Sequence, residues 1–294
     1  MRLDRCPIFE ENAAIHEAYG ATLDHLRRWP QLARPVIARV ARRALSEEVT
    51  RDLARIAFEV DREQAVALAS RLPNTVAATV VVRQVCKHPR LGDTDLLLRR
   101  LRVVTEVKER FDIVLTLTNL GTMPEATRRA LCDSPQAAVR ILASFDSARR
   151  GSRLMRLALE RAARTEPKAI HRASAIHCLA RLEDPTASLD LYLSALADHE
   201  QVPTYPYGRC YPVFEQALFA IGCVGDPSVL RRVLCAYLDA PPGWFDDVEA
   251  AALATLDVLA DEAQSGASSL SARRRALAAK APEVSEFYAL SLDR

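Results

Sequence analysis

Residues 172–185 read RASAIHCLARLEDP, and residues 214–227 read FEQALFAIGCVGDP. Each stretch ends in Asp-Pro, Asp184-Pro185-Thr186 in the first and Asp226-Pro227-Ser228 in the second, and the two are offset by forty-two positions, 226 minus 184. Before the first turn Ala175, Ile176, Leu179 and Leu182 fall at helical spacing, and Ala217, Leu218, Ile221 and Val224 take the matching places before the second. After the turns, Leu191 and Leu196 match Val233 and Leu238. Small residues let paired helices approach, Asp accepts backbone N–H bonds as an N-cap, and Pro is pre-set for the first turn that follows. A unit of helix, turn and helix cannot bury its apolar stripe alone, so such units stack on one another.

The segments Arg172-x-x-Ala175-x-x-x-Leu179, Leu182-x-Asp184-Pro185 and Gly222-x-x-Gly225-Asp226-Pro227 resemble the HEAT-repeat family of armadillo-type superhelices. The resemblance implies an all-α fold, a right-handed α-solenoid of stacked HEAT-like helical hairpins whose second helices line a concave face. It implies a fold and not an activity. Weaker copies extend the rhythm towards the N-terminus, pairing helices at 49–59 and 62–72, 75–86 and 94–104, 111–120 and 124–132, and 135–145 and 152–164, with Gly121 at one break. Their shorter steps resemble the short HEAT-like units of phycobilisome-lyase-type repeats.

Composition agrees with helices. Gly accounts for 9 of 294 residues, while Ala, Leu and Arg, all good helix formers, dominate. The nearest thing to a strand, Val80-Val81-Val82, lies inside a helical frame. A solenoid has no internal boundary, which predicts a single HEAT-like repeat domain over residues 1–294: N-terminal capping helices at about 12–45, repeats at about 48–240 and C-terminal capping helices at about 248–290. Residues 264–269 have loop composition. The opening residues lack the apolar core of a signal peptide, and nothing approaches the roughly 20 apolar residues that cross a bilayer, so a cytoplasmic location is expected. Seven cysteines, spread widely and without a C-x-x-C pair, read as free thiols. Cys210, Cys223, Cys235 and His199 match no zinc spacing.

Charge is uneven although the net is +2. Residues 1–150 hold 25 Lys and Arg against 19 Asp and Glu, a balance of +6, and residues 151–294 hold 15 against 19, a balance of −4. Arginines gather on the expected second helices: Arg99, Arg100 and Arg102, then Arg128 and Arg129, then Arg149, Arg150, Arg153 and Arg156. These predict a basic strip along the concave face, with Arg99, Arg102, Arg128, Arg129, Arg153 and Arg156 as partner-binding residues suited to bidentate contact with carboxylate or phosphate. The opposing reading is a solvated face, because only four of the forty basic residues are Lys and Arg is the chain's ordinary surface cation.

Residues 203–212, Pro-Thr-Tyr-Pro-Tyr-Gly-Arg-Cys-Tyr-Pro, interrupt the two regular repeats and are predicted to form a non-helical loop. Tyr205, Tyr207, Arg209 and Tyr211 are partner-contact candidates there, against the alternative that the tyrosines pack over helix ends. A second loop at 241–247 holds Trp244 beside Asp246 and Asp247, and is expected to cap the next helix.

Chemistry is hard to find. There is no glycine-rich phosphate loop, H-E-x-x-H, G-x-S-x-G or E-x-x-H set. The expectation is accordingly no catalytic residue, no metal and no cofactor. Two function classes remain. One is a non-catalytic adaptor, scaffold, inhibitor or assembly factor binding a protein partner with an acidic surface, with nucleic acid as the second choice of ligand and no membrane insertion. The other is an enzyme on the same fold, a HEAT-like alkylpurine DNA glycosylase or a HEAT-like lyase. Trp29 and Trp244 lie near opposite ends of the chain, which does not resemble the glycosylase's aromatic cleft.

Overall fold

The computed structural model of the chain describes residue 28 and residues 47–71, 73–204, 208–239, 246–265 and 268–282. The capping helices expected between 12 and 45, both tryptophans, Tyr205, Tyr207, most of the 241–247 loop and the end of the chain after 282 lie outside the described residues. The chain divides into two compact units, residues 1–123 and 124–294.

The first unit contains α1 (Glu47–Val60), α2 (Arg62–Arg71), α3 (Val76–Lys87), α4 (Thr94–Leu101) and α5 (Val107–Leu120). Helices α1, α3 and α5 pack in succession, with α2 and α4 laid against them. Ile56, Val82, Leu96, Leu97, Ile113 and Leu117 are fully buried between the two rows. Local chemistry sets the ends. Thr75 accepts the Ala78 N–H as the N-cap of α3, and α5 stops at Gly121, whose φ of 68° is the left-handed C-cap conformation open to glycine. Val80 to Val82 are helical, as their frame predicts.

Arg100 is buried at the meeting of α3, α4 and α5. Its Nε and Nη2 donate to the two carboxylate oxygens of Glu109 at 2.7 and 2.9 Å, Nη2 also reaches Thr79 Oγ1 at 2.8 Å, and Nη1 donates to the Pro73 carbonyl. One guanidinium fork thereby fastens three helices.

The second unit contains α6 (Glu125–Cys132), α7 (Ala137–Arg149), α8 (Arg153–Thr165), α9 (Ala169–Ala180), α10 (Leu189–Ala195), α11 (Pro212–Val224), α12 (Leu230–Leu238), α13 (Asp246–Ser265) and α14 (Leu270–Lys280). Helices α7, α9, α11 and α13 pack one on the next. Helix α6 lies against α7, α8 against α7 and α9, α10 against α11, and α12 against α13. Every residue of α11 is buried, as expected of a helix with little polar face. His177 of α9 and Phe219 of α11 occupy matching repeat positions, 219 minus 177 being forty-two, and their rings stack with centroids 5.6 Å apart and planes 15° apart.

Both Asp-Pro turns have the same construction. Asp184 Oδ1 accepts the Thr186 N–H at 3.1 Å and Asp226 Oδ1 accepts the Ser228 N–H at 2.9 Å. Each turn opens a short 3-10 stretch, Thr186–Ser188 or Pro227–Val229, and the α-helix proper starts after it, at Leu189 and Leu230. The sequence pattern placed Pro in the first turn of the second helix itself; the tighter 3-10 turn comes between because the chain must reverse before the helix can extend.

The C-terminal helix α14 closes over α11. Leu277 lies against Gly222, where a Cβ would meet its methyl groups, and Arg273 packs on Gly225, which has φ 68°. Arg273 Nε donates to the Cys223 carbonyl (2.9 Å), while Arg274 Nη2 donates to the carbonyls of Ala180 (2.6 Å) and Leu182 (2.8 Å). The Ala180 and Cys223 carbonyls lie in the last turns of α9 and α11, where no intrahelical N–H follows, and the Leu182 carbonyl lies in the turn just beyond α9; the two arginines satisfy all three.

Three expectations need correction. Within residues 203–212 the backbone forms a two-stranded ribbon, β1 (Val202–Thr204) antiparallel to β2 (Gly208–Cys210), with Pro203 opposite Arg209. Residues 264 and 265, read as loop, continue α13. Arg149 and Arg150, assigned to a second helix, are the last residue and the C-cap of the first helix α7.

The repeat phase makes a stability ranking. Ile221 has no exposed surface, so Ile221→Ala should open a cavity and cost about 2 kcal/mol or more, whereas Asp226→Ala removes one capping bond and should cost about 1 kcal/mol. Urea denaturation of the two variants checks this. If Ile221→Ala is the milder, the phase is wrong.

Candidate interaction surface

The arginines singled out by sequence fall into two sorts. In the first unit, Arg99 on α4 is half exposed and pairs with Asp95 at 2.8 Å, and Arg102, the C-cap of the same helix, is exposed. In the second unit Arg129, on α6, is 79% exposed beside Glu125, and Arg153 opens α8 at the surface. Arg128 and Arg156 are different. Arg128 Nη1 donates to Asp146 Oδ2 at 2.9 Å, a carboxylate with no exposed surface. Arg156 Nη2 donates to the Asp184 carbonyl oxygen (2.7 Å) and Ser188 Oγ (3.1 Å), tying α8 to the first Asp-Pro turn. Both are held inside the fold by these bonds rather than presented along a strip.

Asp146, outside the arginine pattern of the sequence, is the acceptor at the centre of this cluster. It accepts from Arg149 Nη2 (2.8 Å) and Arg150 Nε (3.4 Å) as well as from Arg128, so three guanidinium groups gather on one buried carboxylate. Its burial was readable: Asp146 follows Leu142 by four positions and Val139 by seven, the face of α7 that faces inward.

Beside these groups runs a groove of about 710 Å³ between α6, the end of α7 and the start of α8. Arg128, Arg129 and Arg150 line it, with Cys132, Leu154 and Met155. Gly151, at φ 93°, makes the turn from α7, and Ser152 accepts the Met155 N–H as the N-cap of α8. Leu154 is 73% exposed and Leu157 is 51% exposed, although Leu159 and Ala163 on the other side of the same helix are buried. Helix α8 therefore has an apolar element on its outward face as well as on its inward one.

Of the three tyrosines in 203–212, Tyr211 is the one described, and it lies just after the ribbon. Tyr211 is buried, its N–H bonded to Glu215 Oε1 at 3.0 Å and its hydroxyl contacting Gln201 Nε2, so it belongs to the core and not to a partner surface. Pro212 starts α11, and Tyr211 before it is consequently drawn into the packing around an all-buried helix. The backbone of Arg209 is in β2, while Tyr205 and Tyr207 fall in the undescribed connection.

Buried titratable groups in this fold are held away from reactivity. Burial pushes the His177 imidazole down to about 3, with the Arg181 charge acting the same way. Burial likewise pushes the Cys86 thiol up to about 12 and the Cys223 thiol up to about 11. At neutral pH these are a neutral ring and two protonated thiols. His199 Nε2 lies 3.0 Å from the Leu196 carbonyl oxygen and its ring is edge-on to Phe214. Among the described residues no group of three or more His, Cys, Asp or Glu side chains is placed to hold a metal, and no helix is long and apolar enough to cross a membrane.

No model of a known protein family matches the chain, and no curated protein matches it.

Proposed function

We propose that this protein is a non-catalytic repeat module of HEAT type that binds another protein through the outward faces of its second helices. The observation that carries the reading is the pairing of exposed leucines with exposed arginines on α8, next to an open groove. Leu154 and Leu157 lie about one turn apart on the solvent side of α8, beside the groove and the exposed arginines, and so form a small apolar patch with a basic rim. The repeat character is supported by the stacked His177 and Phe219 rings, by the two Asp-Pro turns of common construction, and by helix rows in each unit that contact their neighbours in order. The connection of the ribbon, with Tyr205 and Tyr207, is a second contact candidate, Arg209 beside it.

Affinity capture from the native host, read by mass spectrometry, tests this with two pairs of charge reversals. Arg129→Glu with Arg153→Glu alters the second unit, and Arg99→Glu with Arg102→Glu the first. Each pair should leave the circular dichroism spectrum unchanged. A protein captured by the wild type should be lost from at least one pair, and its binding should weaken with salt. Tyr205→Ala with Tyr207→Ala reports on the ribbon in the same assay. A wild type that captures no protein, yet binds duplex or single-stranded DNA with an affinity falling steeply with salt, overturns the protein-binding reading.

A further inference from the structure

We infer that the partner's contacting element is an acidic amphipathic α-helix that docks along the exposed face of α8, its apolar side on Leu154 and Leu157 and its carboxylates on Arg161 and Arg164. The inference rests on the protein-binding reading above and specifies the chemistry of that site.

The spacing is the first argument. Leu154, Leu157, Arg161 and Arg164 are separated by three, four and three residues, so at about 100° per residue they form one ridge within an arc of about 80°. All four are exposed. Such a ridge, alternating steps of three and four, is what a second helix packs against when side chains of one interdigitate with those of the other. The ridge is about 15 Å long, or three turns. An extended strand would read residues at a period of two and would not follow it.

Charge selects the sign of the occupant. Helix α8 has Arg153, Arg156, Arg161 and Arg164 against the single acid Glu160, a balance of +3. Arg156 and Glu160 are turned inward and paired at 3.6 Å, which leaves Arg153, Arg161 and Arg164 to the outside, with Arg129 across the groove. Carboxylates placed at both ends of an apolar centre complement this order. Polyphosphate does so less well. Leucine makes up the first half of the ridge, which phosphate cannot desolvate favourably, and around the groove Asp146 and Glu125 already pair with Arg128, Arg129, Arg149 and Arg150.

The test uses the full chain and a fluorescein-labelled synthetic peptide of about 18 residues, with leucines at alternating steps of three and four, glutamates beside them and alanine elsewhere. Controls are the same composition scrambled and a version with lysine for glutamate. Fluorescence anisotropy should show binding of the acidic peptide and of neither control. Leu154→Asp with Leu157→Asp should weaken it at least tenfold, and Arg161→Glu with Arg164→Glu should weaken it and create binding of the lysine peptide, which the wild type lacks. Both pairs are solvent-facing, and an unchanged thermal midpoint shows that the fold is intact. Alkylation of Cys132, half-buried in the groove, should slow when the acidic peptide is present, as read by peptide mass mapping. Acidic-peptide binding insensitive to the α8 variants overturns this inference and leaves the protein-binding reading standing. Failure of the peptide to bind, with host proteins still captured and still lost in Arg129→Glu with Arg153→Glu, does the same. Preferential binding of DNA, insensitive to the leucine pair, overturns both. Self-association that disappears in the leucine pair makes the occupant a second copy of this chain and also overturns it.

Discussion

Replacing Glu109 by Ala should destabilise the first unit by about 3–5 kcal/mol, the range for removing one partner from a buried ion pair. The Arg100 and Glu109 side chains are 10% and 3% exposed, so solvent screens the pair poorly. Glu109 occupies both Nε and Nη2 of the guanidinium, and without it the charge keeps, among the described residues, the Thr79 hydroxyl and the Pro73 carbonyl. The cost is one of stranding a charge, and this distinguishes it from the worth of the pair itself. Replacing both residues together, Arg100→Met with Glu109→Leu, removes the charge with its partner and should recover most of the loss. Urea denaturation of the two single variants and the double settles the matter. A Glu109→Ala cost below about 1 kcal/mol, or a double variant no better than the single, contradicts the hub.

Which parts of this molecule could be read in its sequence follows from how local each signal is. The Asp-Pro turns were legible because the cap, the proline and the flanking apolar spacing all fall within a few residues, and the structure places Asp184 and Asp226 in matching turns. Arg100 was misread as one more surface cation, although it lies four residues after Leu96 and three after Leu97, on the inward face of α4. Its position on the helix, not its charge type, decides its burial. Asp146 was missed in the same manner. The exposed leucines of α8 are hard to read because Leu154 and Leu157 look like ordinary core positions in a pattern, and only the burial of Leu159 and Ala163, on a helix packed against α7 and α9, shows which side is inward. Tyr211 went wrong for a non-local reason. Its burial depends on Gln201 and on an α11 enclosed by α9, α10, α13 and α14, and no short window of sequence states that enclosure.

Acid should weaken the second unit through His177. The ring is completely buried between α9 and α11, its Nδ1 lies 2.8 Å from Gln216 Oε1, and a neutral imidazole with its proton on Nδ1 donates there. Burial, helped by the Arg181 charge, holds the folded group at about 3, against the ordinary 6.5 of an unfolded chain. Above 6.5 the ring is neutral in both states and titration contributes nothing to their difference. As pH falls below 6.5 the unfolded chain takes up a proton that the folded one refuses. Stability is therefore lost progressively down to about pH 3, at ~1.4 kcal/mol per unit and on the order of 3 kcal/mol by pH 4. Carboxylates titrate in the lower part of this window too, so the informative quantity is the difference from a variant that keeps them. His177→Gln has no titrating ring. Its stability, measured by urea denaturation between pH 7 and 4.5, should fall less steeply than that of the wild type by about one proton's worth. Parallel slopes would mean that the ring takes up its proton in the folded state, and the burial of His177 against Phe219 would then fail as an account of how the two regular repeats are joined.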